Sequence, residues 1–428
     1  MTLTKQYYPD LKETVYRKIL DNELEVVFIH KPDYQETLGI MAVRFGALDT
    51  IFRPKYRKLY RQFPAGIAHF LEHKLFEMSD GSDAVALFSS LGAEVNAFTS
   101  YQQTVYYFST TDRVKENLQV LQNFTGTFHI SQESLEREQS IISQEINMYQ
   151  DDPDYQLYMG LLGQLYPESA LSDDIAGSLQ SINAINIKDL KLNFDLFYQP
   201  SNRLLLVVGP EEPESLLADI EIYQAKSRKR KIYEIKKQGL DLLPVKPSSQ
   251  VELPVVGPKL ALGFRGQVDF TELSTSSYRV ALKLFFAMLL GWTSSTYQDW
   301  YEKGRLDDSF QMEIEIHEAF QLVTMTLDTH EPMAMSKRLR QLLKTFKTLP
   351  DFHQDHLDLV KQEMYGDFLK SLNSLEQLAM HYVDGWIGGE DGLDLVEILD
   401  ELSLEDILYV GQDFIEKSQV SDFIIFPQ

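Results

Sequence analysis

The sequence predicts an α+β protein built from two homologous domains, and three observations carry that prediction. Segments rich in β-formers alternate with stretches of helical periodicity through the first half of the chain. A pattern from the first half then returns in the second. Ile185 to Asp189, Phe197 and the apolar run 204–208 recur as Leu402 to Asp406, Phe414 and the run 423–426. The offset from Asp189 to Asp406 is 217 residues, about half of the 428-residue chain, which argues for a duplicated domain rather than a solenoid. Finally, 44% apolar side chains let a chain of that length bury one or more sizeable cores, and length alone suggests two or three domains.

Taken in order, residues 24–29 and 37–45 are β-rich and bounded by Asp21-Asn22 and Lys31-Pro32-Asp33, which predicts paired strands. Helical periodicity takes over at 65–77, strands follow at 95–99 and 104–109, and 112–124 returns to helix. Residues 133–149 place Leu135, Ile141, Ile142, Ile146 and Met148 among carboxylates, a long amphipathic helix that stops at Asp151-Asp152-Pro153-Asp154. The basic run 226–231 and the Pro-containing stretch 243–249 read as a solvated linker. The expected domains are therefore 1–225 and 251–428, joined by 226–250. Residues 280–292, interrupted by Lys283, are too short to cross a bilayer and are expected to form a buried helix.

Composition narrows the function. Forty Lys plus Arg against 64 Asp plus Glu leaves −24, a field that repels polyphosphates and anionic lipid headgroups from most of the surface, so neither nucleic acid nor membrane is an expected partner. There is no cysteine, which removes disulfides, thiolate nucleophiles and thiolate metal ligands together. Residues 1–10 lack an apolar export segment, and a cytoplasmic location is the default expectation.

The residues that carry chemistry are His69-Phe-Leu-Glu-His73. On a helix, positions i, i+3 and i+4 share a face, so both imidazoles and the Glu72 carboxylate converge on one point outside it. Two histidines at that spacing can bind one Zn2+, and the acid beside them suits a general base toward water. A catalytic zinc takes three protein ligands and keeps one open position, so a third donor must come from elsewhere. Glu138 and Glu145, seven residues apart on one face of the second long helix, are the candidates: one to ligate, the other to orient a histidine. Two other histidine sites carry less. Asp351, His353, Asp355, His356 and Asp358 sit beside Pro350 at a helix start, where acids favour the dipole, and His317 belongs to an exposed strand.

His69-Phe-Leu-Glu-His73 with Glu145 resembles the zinc site of the pitrilysin and insulysin family of inverzincin metallopeptidases, which includes the mitochondrial processing peptidase. The likeness continues through Gly92-Ala-Glu-Val-Asn96-Ala-Phe-Thr99, Tyr198-Gln-Pro-Ser-Asn202 and Gly291-Trp-Thr-Ser-Ser-Thr-Tyr297, and so covers essentially the whole chain. It implies two α/β-roll domains, each a mostly antiparallel sheet packed with helices, together half of a clamshell. It implies a zinc endopeptidase acting on peptides or unfolded polypeptide, with His69, His73 and Glu145 as ligands, Glu72 as base and Glu138 supporting a ligand. Members of this length pair as homodimers or heterodimers, and this chain most resembles the zinc-bearing member of a bacterial pair whose partner lacks zinc. Substrate is expected to add as a strand along Asn96, Ala97, Phe98 and Thr99, with a mild preference for basic or neutral peptides.

One departure matters. Active members of that family carry an Arg and a Tyr, seven apart, in the second domain, where they bind substrate and steady the tetrahedral intermediate. By simple alignment Tyr301 and Asp308 stand there, and a shifted alignment enlists only Arg305. The alternative expectation is therefore a non-catalytic subunit that binds peptide or partner.

Overall fold

The computed structural model describes residues 3–78, 81–226 and 232–428. Of the basic run expected in the linker, 227–231 lie outside the described residues. The chain forms two compact units. Unit 1 holds Met1–Asn147, Asp174–Gln238 and Ser371–Gly392; unit 2 holds Met148–Asp173, Gly239–Lys370 and Leu393–Gln428.

In unit 1 the strands are β1 (Thr4–Tyr8), β2 (Glu13–Ile19), β3 (Glu25–His30), β4 (Thr37–Val43), β5 (Ile51–Pro54), β6 (Arg61–Gln62), β7 (Ala93–Thr99), β8 (Thr104–Thr110), β9 (Arg203–Gly209) and β10 (Ile235–Lys237). The main sheet runs β1-β2-β3-β9-β4-β8-β7, antiparallel except for the β3/β9 pair. Its centre reads as continuous apolar sequence because β4 and β9 are buried along their whole length. A small sheet, β10-β5-β6, lies outside it. Part of the expected linker is therefore structured, since β10 pairs with β5.

Unit 2 contains β11 (Ser248–Leu253), β12 (Lys259–Arg265), β13 (Gln311–Ile316), β14 (Gln321–Asp328) and β15 (Gln419–Pro427), in the order β11-β15-β12-β14-β13. Again one pair, β11/β15, is parallel and the others antiparallel. Matching β3, β9, β4, β8 and β7 to β11, β15, β12, β14 and β13 reproduces every neighbour and every polarity. The internal repeat is thus a repeat of topology.

The helices that matter are α1 (Ile67–Leu75), α2 (Gln132–Gln150), α3 (Pro153–Leu165), α4 (Ile187–Phe197), α5 (Thr275–Leu290), α6 (Ser295–Glu302), α7 (Gln354–Ser371), α8 (Leu375–Gly388) and α9 (Leu404–Lys417). Helices α4 and α9 are the repeated segments that lead into β9 and β15. The units exchange helices. α3, from the first half of the chain, packs on β12 and β15 within unit 2, while α8, from the second half, packs on β4 and β9 within unit 1. Each sheet thereby covers an apolar face with a helix from the other half, so the compact units do not follow a single cut at 226–250. The buried helix expected at 280–292 runs instead from Thr275 to Leu290. Gly291 ends it, and Trp292, expected inside, is 62% exposed.

Candidate metal centre and active site

Helix α1 is fixed before any chemistry is placed on it. No side chain caps its N-terminus; Gly66 sits there at φ 86°, and a Cβ on it would lie 2.4 Å from the Ala176 carbonyl oxygen. Only glycine fits that approach. Phe70 and Leu71 are fully buried, and each such side chain contributes about 1.5–3 kcal/mol. Their burial sets the rotation of α1 about its axis, and that rotation decides which way His69, Glu72 and His73 point.

The three polar residues meet partners from two other elements. The Nε2 atoms of His69 and His73 lie 3.6 and 3.8 Å from the two carboxylate oxygens of Glu145 on α2. One donor atom from each of these three residues falls within 4.8 Å of the others, the only such group of three or more His, Asp or Glu among the described residues. Glu138, two turns earlier on α2, accepts instead from the far side of the His73 ring, Nδ1 to Oε1 at 3.0 Å. That bond leaves Nε2 as the ring nitrogen facing His69 and Glu145. The choice between Glu138 and Glu145 left open by spacing alone is thus separated by geometry: one faces both Nε2 atoms, the other holds a ring from behind.

The donor set suits zinc. Tetrahedral ligands at about 2.0–2.1 Å from a zinc ion stand roughly 3.3–3.5 Å apart. The two histidine-to-Glu145 separations, 3.6 and 3.8 Å, need only small side-chain adjustments to reach that spacing. Burial, helped by the neighbouring His73, pushes the His69 pKa down to about 3 and keeps that ring neutral, the form that ligates. Its Nδ1 is buried without a hydrogen-bond partner, so the ring's polar chemistry rests on Nε2. For His73, burial disfavours charge, but the Glu138 hydrogen bond and charge, with Glu72 and Glu145, outweigh it and raise the pKa. Glu72 is also raised, chiefly by burial.

Thr99 joins the site in a way the sequence did not signal. As the last residue of edge strand β7, its hydroxyl donates to Glu72 Oε2 at 2.6 Å. Side chains alternate along a strand, so Ala97 shares the Thr99 face while Asn96 and Phe98 point to the other. Asn96 lines a cavity of about 460 Å³ there with Glu94 and Tyr107. Strand β7 pairs only with β8, which leaves its other edge open among the described residues. The Ala97 N–H is taken by the Oδ1 of Asn96 at 2.8 Å, a contact that any added strand has to replace.

The remaining candidates resolve into structure. His356 Nδ1 bonds the Asp351 carbonyl at 2.9 Å and Nε2 bonds the Thr293 hydroxyl at 3.0 Å, while the Asp351 carboxylate accepts from the Ser295 N–H and hydroxyl at 2.7 and 2.6 Å. His356 and Asp351 thereby tie the start of α6 to the start of α7, while His353 and Asp355 are exposed. His317, expected on an exposed strand, lies just past β13 and is partly buried beside Phe320. Tyr301 is exposed on α6 and stacks on Tyr297, and Asp308 and Arg305 are exposed beyond it.

Comparison with known proteins bears on the family and the fold. The family model for insulinase (peptidase family M16) matches residues 63–178, and the model for the M16 inactive domain matches 184–364. YmfH of Bacillus subtilis (strain 168), named an uncharacterized zinc protease, is 32% identical over 425 residues, 98% of each chain. An M16-like peptidase solved from Alicyclobacillus acidocaldarius superposes with a TM-score of 0.89 at 26% identity, covering 100% of this chain and 99% of that one. The periplasmic protease PqqL from Escherichia coli shares the fold at a TM-score of 0.72 and 18% identity, with 97% of this chain covering 47% of that one. Full-length identity to YmfH, with the M16 models matching in sequence order, shows that this chain belongs to the insulinase (M16) family of peptidases.

Proposed function

We propose that this protein is a zinc-dependent endopeptidase acting on peptides or unfolded polypeptide, with His69, His73 and Glu145 as metal ligands and Glu72 as general base. The observation that carries the reading is the convergence of both Nε2 atoms on the Glu145 carboxylate, with Glu72 on the same helix face. Zinc held there would supply Lewis acidity to the scissile carbonyl and lower the pKa of a water toward 7. The chain's own residues do the rest. Glu138 orients His73; Thr99 holds Glu72; Glu72 takes a proton from the attacking water and delivers it to the leaving amine. An extended peptide lies along the open edge of β7, Asn96 to Thr99, displacing the Asn96 cap on Ala97 and presenting its carbonyl beside α1.

The same proposal makes this chain the zinc-bearing subunit of a dimer. In its support, PqqL carries about twice this length in one chain, and Tyr301 and Asp308 stand where an Arg and Tyr pair was expected. A homologous zinc-less partner that carries such a pair would supply what is missing. A second reading, a peptide-binding subunit without turnover, draws on the same two positions. Metal analysis followed by a fluorogenic peptide assay, with and without chelator and with and without the partner, decides between them. About one zinc per chain and chelator-sensitive cleavage support the first reading. Zinc-free protein that binds peptide without cleaving it, alone or with partner, supports the second.

A further inference from the structure

Lys74, the residue after His73, is 2% exposed, a burial that a lysine seldom tolerates without partners. Its ammonium donates to Glu77, just past the end of its own helix, at 2.7 Å and to Glu138 on α2 at 3.4 Å. Glu77 is tied to α2 as well, accepting from the Ser134 hydroxyl and from Arg137 at 3.1 Å. Lys74 thus sits at the centre of a clasp between the two helices that bring the candidate ligands together. Glu138 gives one oxygen to each neighbour: Oε1 to His73 and Oε2 to Lys74. A carboxylate held at both oxygens cannot swing away from the imidazole.

We propose that Lys74 is a positioning residue of the metal centre, whose ammonium acts through Glu138 to hold the His73 ring with Nε2 turned toward His69 and Glu145. The inference deepens the zinc reading above and, for its metal-binding arm, rests on it. It also makes a prediction of sign. A cation near a metal site repels the metal, so if Lys74 contributed charge alone, removing it would tighten zinc binding. Positioning predicts the opposite, because supports behind a ligating histidine typically contribute about 10- to 100-fold in metal affinity.

The test uses the full chain and five proteins: wild type, K74M, K74R, E138Q and the K74M/E138Q double variant. Zinc affinity is read by competition with a chelator, and the His73 tautomer by heteronuclear NMR of the ring nitrogens in metal-free protein. Expected results are zinc binding about 10- to 100-fold weaker in K74M, recovery of most of that loss in K74R, and a double variant no weaker than E138Q alone, since Lys74 acts through Glu138. In metal-free protein His73 should carry its proton on Nδ1 in the wild type and lose that preference in K74M. Unchanged or tighter zinc binding in K74M overturns the inference, as does an unchanged tautomer or a double variant weaker than E138Q. Should K74M fail to fold, the double variant decides, because it removes the ammonium and the Glu138 charge together. If the wild type binds no zinc, the zinc reading fails by itself, and the tautomer comparison still settles the role of Lys74.

Discussion

Units 1 and 2 share five strands in the same order with the same polarities, yet the helix that follows β4 differs completely from the one that follows β12. In unit 1 that helix is α1, short, with His69, Glu72 and Lys74 buried among apolar residues. In unit 2 it is α5, with Val280, Ala281, Leu282, Leu284, Phe285, Phe286 and Met288 all buried and neither His nor Glu along its length. The edge strands end differently too: β7 on Thr99, which bonds Glu72, and β13 on the buried apolar Ile316. The scaffold therefore does not dictate the site. Unit 2 shows what the fold does when that position is given wholly to packing. Unit 1 gives up part of the same core to carboxylates and imidazoles, and the buried charges among them need partners because an unpaired buried charge is costly. That requirement explains why the groups of the candidate site come with Thr99, Glu138 and Lys74 behind them.

The contrast can be broken by substitution. Glu72→Gln is nearly isosteric and removes only the base, so peptide hydrolysis should fall by about 10²- to 10⁴-fold while zinc stays bound. Hydrolysis at the wild-type rate would remove Glu72 from the mechanism. In unit 2 the corresponding test is one of stability. Phe285→Ala, at a fully buried ring that packs against Phe286, Phe346 and Phe352, should lower the unfolding free energy by about 3–5 kcal/mol in a denaturant titration and leave zinc stoichiometry untouched. Zinc loss in folded Phe285→Ala protein would show that the two helices do not divide packing from chemistry. Glu145→Gln should then reduce zinc affinity by at least about 10²-fold, more than the loss of a residue that only supports a ligand. Full occupancy in that variant would shift the ligand role to Glu138.

How much of this was legible in the sequence follows from how local each signal is. The spacing of His69, Glu72 and His73 fixes their shared face inside a single helix, so no tertiary information is needed to see it. Glu138 and Glu145 lie in register on one helix, and periodicity cannot say which oxygen meets which nitrogen; only the rotation of α1 against α2 separates them. Thr99 was expected only as part of the substrate strand, and neither its bond to Glu72 nor the role of Lys74 gave a signal, since a threonine at a strand end and a lysine in a helix are ordinary until the contacts they make are known. In the fold, β4 and β9 announce themselves as apolar runs. Strand β1 does not, because Thr4 to Gln6 are exposed polar residues on a sheet edge. The exchange of α3 and α8 was equally hidden. An amphipathic pattern says that a helix has an apolar face, not which sheet will cover it.

The smallest expected effect sharpens the comparison most, because it touches the one hydroxyl by which β7 differs from the apolar end of β13. Thr99→Val keeps the shape and deletes the donor to Glu72. Burial already holds the Glu72 carboxyl above the ordinary carboxylate range; the Thr99 hydrogen bond and the charge of His73 pull it back down, and the charge of Glu145 adds to the rise. Losing the hydroxyl therefore raises the Glu72 pKa further, since a hydrogen bond to the ionised form is what goes missing. A general base works only when ionised, so the acid limb of kcat/KM should move to higher pH, and activity should be lost first at the acidic end. At neutral pH the reduction should be about tenfold, the lower end of what a hydrogen bond to a charged group contributes. Thr99→Ser, which retains the donor, should keep the acid limb near its wild-type position. A Thr99→Val profile that overlays the wild type would mean that Glu72 is held by burial alone, and that the difference between the two edge strands carries no chemistry.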